Sequence, residues 1–120
     1  MSARSEQASP RSRERKAGTV TPEEYVEEVL ALVERIPPGR VMSYGAIADY
    51  LRDRAGRGSA RHVGTIMARH GGPVPWHRVV AADGRLVPGH EIEATRRHRA
   101  EGTSLRGDKV DMTRAAWYPG

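Results

Sequence analysis

The chain has 120 residues, room for one domain of the usual ~100–150 residues; 38% are hydrophobic, with two Trp, four Tyr and no Phe, so the core must be built from aliphatic side chains. It contains no cysteine, which excludes disulfides, thiolate-ligated metals and thiol nucleophiles. A formal charge of +5 favours a polyanionic partner through phosphate neutralisation, with a merely soluble, arginine-rich surface as the competing reading.

The first segment, MSARSEQASPRSRERKAG, carries five Lys/Arg against two Glu and shows no apolar periodicity. Residues 1–18 therefore read as a disordered basic tail, either a plain solvated extension or a source of non-specific phosphate attraction. A single folded domain is expected over 19–120. No apolar run approaches the ~20 residues of a membrane span, and no apolar signal segment opens the chain. The expectation is a cytoplasmic protein without a membrane partner.

Order is predicted to begin at Thr21, an N-cap followed by Pro22 at the first helical position and by Glu24, which completes a T-x-x-E capping box. Tyr25, Val26, Val29, Leu30, Leu32, Val33 and Ile36 give this first helix one apolar face, and Pro37-Pro38-Gly39 ends it. After a short extended link at Arg40-Val41-Met42, Ser43 caps a second helix with Tyr44, Ile47, Ala48 and Leu51 at i, i+3, i+4 and i+7. That helix runs out near DRAGRG.

Ser59 then caps a third helix, with Ala60, Val63, Gly64 and Met67 on one face and Arg61, His62, Thr65 and Arg69 pointing elsewhere. Gly71-Gly72 closes it. Two short helices around a tight Gly-containing turn, the second basic on its outer side, fit a helix-turn-helix. WHRVV, the Asp83-Gly84 turn and RLV read as a β-hairpin or wing, because Asp-Gly between apolar runs is a strong hairpin signal. A last, mostly polar helix is predicted from about Glu91 to Glu101, ending at Gly102. Val110, Met112 and Trp117 are expected to pack the C-terminal segment back on the domain. The predicted class is α+β, mainly helical, a winged helix-turn-helix with a small hairpin.

On residue type alone, several candidates have ordinary explanations. Arg61 reads as an exposed arginine, Tyr44 and Trp76 as core aromatics, and Gly64 as a packing glycine. The histidines His62, His70, His77 and His90 match no familiar zinc spacing, so neither a metal nor a cofactor is expected.

The blocks IPPGRVMSYGAIADYL, SARHVGTIMARH, VPWHRVVAADGRL and AEG, in that order from about Thr21 onward, resemble the DNA-binding domain of the O6-alkylguanine-DNA alkyltransferases. Enzymes of that family carry Pro-Cys-His-Arg, and the cysteine takes the alkyl group irreversibly; here the block is Pro75-Trp76-His77-Arg78. The chain is thus similar to the alkyltransferase-like proteins, which keep the damage-binding fold, have Trp in place of the cysteine, and pass the lesion to nucleotide excision repair.

What the resemblance implies is a non-enzymatic sensor, without catalytic residues, that flips O6-alkylguanine out of duplex DNA. A monomer is the simplest form, nucleoid-associated when on DNA. Tyr44 would rotate the phosphate 3′ of the target, and Arg61 would enter the duplex, from the minor-groove side, in place of the lost base. Ser43, Ala60 and Gly64 would complete the DNA surface. Trp76 would floor the lesion pocket, with Pro75, Tyr44 and Val79 around it, while His77 and Glu101, which relay a proton in the enzymes, would only hold the pocket together. Arg78 is expected to brace the wing. The lid over the pocket would fall near Val87 to His90, where some alkyltransferase-like proteins supply an arginine; none stands there, and Arg85 or Arg96 are the candidates to replace it. The alternative is a winged helix-turn-helix protein that selects a base sequence or DNA structure without regard to lesions.

Overall fold

In a computed structural model, residues 20–55 and 59–119 are described, the last three of the first span by backbone alone. The basic tail and the turn at 56–58 lie outside the described residues. Helix α1 spans Pro22–Arg35, strand β1 Met42–Ser43, α2 Tyr44–Ala55 and α3 Ala60–His70. A 3₁₀ turn at Trp76–Arg78 leads into β2, Val79–Val80; α4, Glu91–Glu101, the strands β3, Leu105–Arg106, and β4, Lys109–Val110, and the short α5, Met112–Ala115, complete the order. Among the described residues no helix is long and apolar enough to cross a membrane.

The predicted caps form. Thr21 Oγ1 accepts from Glu24 N–H at 3.1 Å while Glu24 Oε1 accepts from Thr21 N–H at 2.9 Å, so both orphan donors of α1 are satisfied. Ser43 Oγ accepts from Ala46 N–H, and Ser59 Oγ from His62 N–H. Tyr25, Val29, Leu32, Val33 and Ile36 of the α1 face are buried. On α3 the apolar face is carried by Val63, Ile66 and Met67; Ala60, at the exposed N-terminal end, does not share it. Helix α4 ends at Gly102, whose left-handed φ of 76° suits a C-cap glycine.

The core has two compartments. One gathers α1, α2 and α3 with Met42, Val74 and Val79; the other holds Val41, Val80, Leu86, Ala94, Val110 and Ala115. Successive side chains of a strand point to opposite faces. Val79 accordingly enters the first compartment and Val80 the second, both fully buried.

That division explains the one departure from the expected wing. The turn at Asp83-Gly84 forms, with Gly84 N–H donating to the Ala81 carbonyl and Ala81 N–H to the Arg85 carbonyl. No antiparallel ladder follows. Two consecutive buried valines need cover on both faces, and β2 finds it beside β1, in parallel register Met42↔Val79 and Ser43↔Val80. Arg85 instead bridges to Lys109, and the small antiparallel hairpin is β3–β4, turning at Gly107 with φ 64°. The C-terminal segment packs back as expected: Trp117 N–H donates to the Val41 carbonyl, Val41 N–H to the Ala115 carbonyl, and the Trp117 and Met112 side chains pack against the two compartments.

Candidate nucleic-acid interface

Strand β1 runs straight into Tyr44, and the turn bearing Trp76 runs straight into β2. Because β1 and β2 pair directly, the two aromatic side chains are delivered to one place. Between them opens a cavity of about 460 Å³, lined also by Gly64, Met67 and Gly71 of α3 and its end, and by Val87, Pro88 and His90 of the loop before α4. The loop predicted as a lid is therefore a wall. A volume in the ~300–1,000 Å³ range is that of a small-ligand site.

Gly64 keeps one side open. A Cβ built there would lie 3.9 Å from the Tyr44 ring, ordinary van der Waals contact, and any longer side chain would project into the space. Burial pushes the Tyr44 phenol above its usual pKa, so its hydroxyl stays protonated at neutral pH.

Trp76 is half-buried and packs against both core compartments. Among the described residues, three groups contact its ring. His77 meets it edge-on at 6.1 Å between centroids and His90 at 5.7 Å, and the Arg97 guanidinium carbon lies 5.1 Å from the ring centroid. Arg97 Nε donates to Glu93 Oε2 at 2.8 Å, one turn back on α4. The two arginines expected to replace the missing lid arginine do not reach the indole: Arg85 is paired with Asp83 and Arg96 with Glu93, both with largely exposed side chains. The arginine that reaches the cavity's indole wall is Arg97, and the i, i+4 spacing of Glu93 and Arg97 was the signal available in the sequence.

Behind Trp76 lies a polar set that is almost dry. His77 Nε2 donates to Glu101 Oε2 at 2.9 Å, Arg78 donates to both Glu101 oxygens, and Gly39 N–H donates to Glu101 Oε1. Burial alone would raise the Glu101 pKa, but the Arg78, Gly39 and His77 hydrogen bonds outweigh it and hold the carboxyl at about 2. Arg78 also donates to the Ile36 carbonyl at 2.8 Å, so it braces the end of α1 against α4, not the wing. His98, fully buried and unnoticed in the sequence because it sits among charged residues, donates from Nε2 to the His77 carbonyl and accepts at Nδ1 from Thr103 Oγ1. Burial lowers the pKa of both histidines, so both are neutral at pH 7. With Nε2 protonated, His77 is left with an acceptor at Nδ1 that is buried and has no partner.

His77, His98 and Glu101 place ligand-type atoms within 4.8 Å of one another. Both nitrogens of His98 are engaged and the Arg78 guanidinium occupies Glu101, so the donor set is that of a hydrogen-bonded brace and not of a cation cage. His62, by contrast, stacks on Tyr25 at 5.3 Å.

The remaining predicted residues fall into two groups. Arg61 and Ala60 are exposed at the start of α3, outside the cavity, and among the described residues the Arg61 guanidinium makes no ion pair. Val79 is core, Pro75 flanks the cavity without lining it, and Ser43 is the α2 cap. Helix α3 carries both the exposed Arg61 and, three residues on, Gly64 of the cavity wall.

The family described as the 6-O-methylguanine DNA methyltransferase DNA-binding domain matches residues 24–103. The chain is 34% identical over 110 residues to alkyltransferase-like protein 1 of Schizosaccharomyces pombe, covering 81% of this chain and 97% of that one. It is 32% identical over 98 residues to the DNA base-flipping protein of Escherichia coli, covering 78% and 74% respectively. The crystal structure of S. pombe Atl1 in complex with damaged DNA containing O6-carboxymethylguanine superposes with a TM-score of 0.68 at 29% identity, over 83% of this chain and all of that one.

Proposed function

The chain belongs to the 6-O-methylguanine DNA methyltransferase DNA-binding-domain family, and from that membership we propose that it is a non-enzymatic sensor of O6-alkylguanine. It binds duplex DNA, turns the altered nucleotide out of the stack, holds the base between Tyr44 and Trp76, and leaves repair to the nucleotide excision machinery. The observation that carries this reading is the cavity itself, about 460 Å³ between two aromatic walls, in a chain without a single cysteine.

Extruding a nucleotide costs a few kcal/mol, and least where pairing is already damaged, so an alkylated guanine is the easier base to remove. Stacking on an aromatic ring repays about 1–3 kcal/mol per base. Trp76 stands in the block where the alkyltransferases carry their acceptor cysteine; an indole offers an apolar, polarizable wall and no nucleophile. His77 and Glu101 then serve as a brace. With no thiol to deprotonate, a neutral histidine and an ionised glutamate have nothing to activate.

Arg61 supports the same reading from outside the cavity, as a solvent-facing guanidinium able to enter the vacated stack and bond the orphaned partner base. The relatives named for base flipping and for damaged-DNA binding agree with it. The test is a fluorescence titration, at moderate salt, of matched duplexes with and without O6-methylguanine. Tighter binding of the alkylated duplex, with monomeric protein and no transfer of the methyl group, is expected. Equal affinity for the two duplexes overturns the reading and leaves a DNA-binding module without lesion specificity.

A further inference from the structure

We infer that Arg97 sets the lesion preference of the cavity, by placing a positive charge on the indole wall and so favouring O6 substituents that carry negative charge. The inference rests on the sensor reading above and adds to it a specificity-determining residue.

Arg97 lies over the Trp76 ring, its guanidinium carbon 5.1 Å from the centroid. It is not a lining residue of the cavity, so it acts through the indole and not by touching the base. Its direction is fixed by Glu93, which accepts from Arg97 Nε at 2.8 Å and is itself held by two bonds from Arg96 Nη2 and one from Arg96 Nε. One carboxylate serves two guanidinia, and the cluster of Glu93, Arg96 and Arg97 keeps a net charge of +1, two positive charges less one negative. His90, on the cavity side of the same indole, adds no negative charge, and Glu91 lines the groove on the far side of Pro88. Behind the ring, Glu101 is balanced by Arg78 and His77 is neutral.

A base stacked on the indole opposite Arg97 would place its ring roughly 10 Å from this charge, the 5.1 Å contact plus a stacked-ring spacing of about 4.5 Å. That is about one Debye length at physiological salt, and the intervening medium is ring and protein, which screen less than water. A formal negative charge on the substituent therefore gains from Arg97, and a neutral substituent of the same size does not. The loop Val87–His90 has no arginine, and among the described residues Arg97 is the cation placed over the Trp76 ring.

The experiment uses the full chain and four matched duplexes carrying O6-carboxymethylguanine, its neutral carboxamide isostere, O6-methylguanine or guanine, titrated against the protein and against Arg97→Met and Arg97→Lys. The ratio of carboxymethyl to carboxamide affinity should fall about 3- to 10-fold in Arg97→Met and stay near its original value in Arg97→Lys, and low salt should widen the difference. Binding of O6-methylguanine over guanine should survive in both variants. Emission from Trp76, read in a Trp117→Phe background, should shift in Arg97→Met and not in Arg97→Lys, reporting the loss of the cation from the ring. An unchanged carboxymethyl-to-carboxamide ratio in Arg97→Met, with methyl preference intact, overturns the inference alone. Equal binding of O6-methylguanine and guanine by the unaltered protein overturns the sensor reading and this inference with it.

Discussion

His77 donates its Nε2 proton to Glu101 across 2.9 Å, directly behind the Trp76 wall, in a chain that has no thiol for such a pair to activate. The pair joins α4 to the Trp76–Arg78 turn, and Arg78 extends the junction to the end of α1. Glu101→Gln removes the charge that the largely buried Arg78 guanidinium faces and should lower stability by about 1–3 kcal/mol. Thermal melts measure that loss; the ratio of alkylated to normal duplex affinity should not change. A large loss of lesion preference in a variant that melts normally would instead give the pair a direct part in recognition.

Acid should weaken the fold in two stages. His77 and His98 are held by burial below the usual histidine pKa, so the unfolded chain protonates at ~6.5 while the native one does not. Below that pH the unfolded state binds more protons, and stability falls as pH falls. Glu101, at about 2 against an ordinary 4.5, contributes stability above 4.5 that is lost as the pH drops toward 2. The melting temperature should thus be flat above about pH 7, decline through pH 6 and decline again below about pH 4.5. A melting temperature that rises on going from pH 7 to pH 5 contradicts the neutral histidine pair.

Arg61→Ala should weaken binding of an O6-methylguanine duplex by about 1–3 kcal/mol, the cost of a good base contact. The side chain is exposed and without an ion pair among the described residues, so the melting temperature should barely move. Equal losses on alkylated and unmodified DNA would mark Arg61 as a phosphate contact.

Trp76→Ala should cost about 1–3 kcal/mol of lesion affinity, the worth of one base stacked on an aromatic ring. It also removes an indole shared by both core compartments, so the comparison must be made at a temperature well below the variant's own melting point. Retention of full lesion preference after this change would show that the base stacks elsewhere.

Two glycines should respond in opposite directions. Gly64 is helical with ordinary room for a methyl group against Tyr44, so Gly64→Ala should stabilise α3 by about 0.5–1 kcal/mol, while Gly64→Leu should fill the cavity and abolish lesion preference. Gly84 has φ 94°, and a Cβ there would collide with the Val110 carbonyl. Gly84→Ala should destabilise by roughly 1–3 kcal/mol or more through backbone strain alone. Thermal melts of the variants decide both.

The helices were legible in the sequence because their signals are local. Thr21 with Glu24, Ser43, Ser59 and Gly102 mark ends by hydrogen bonds within a few residues, and Gly102 is the mark that ends α4. The strands were not legible in the same way. An Asp-Gly turn is a local signal and did form, but whether Val79–Val80 then pairs with Arg85–Val87 or with Met42–Ser43 depends on which burial the two valines find, and that is a contact across 37 residues. The cavity is half legible: of the residues the resemblance assigns to the pocket, Tyr44 and Trp76 line it, as does the Val87–His90 loop, whereas Pro75, Val79, His77 and Glu101 do not, and Gly64, assigned to the DNA surface, forms part of the wall. Arg97 and His98 were missed because each sits in the run TRRHR, where composition suggests a solvated face; only the turn of α4 distinguishes the residue facing Trp76 from its exposed neighbours.

The two rungs between Met42–Ser43 and Val79–Val80 work as a caliper. One jaw ends in Tyr44 and the other in Trp76, so the gap between the jaws follows from backbone pairing. Neither the length of the connection from α2 to α3 nor the shape of the distal hairpin enters that dimension. On the proposed reading, a slot gauged by backbone pairing would sort a base by whether it can be brought to fit.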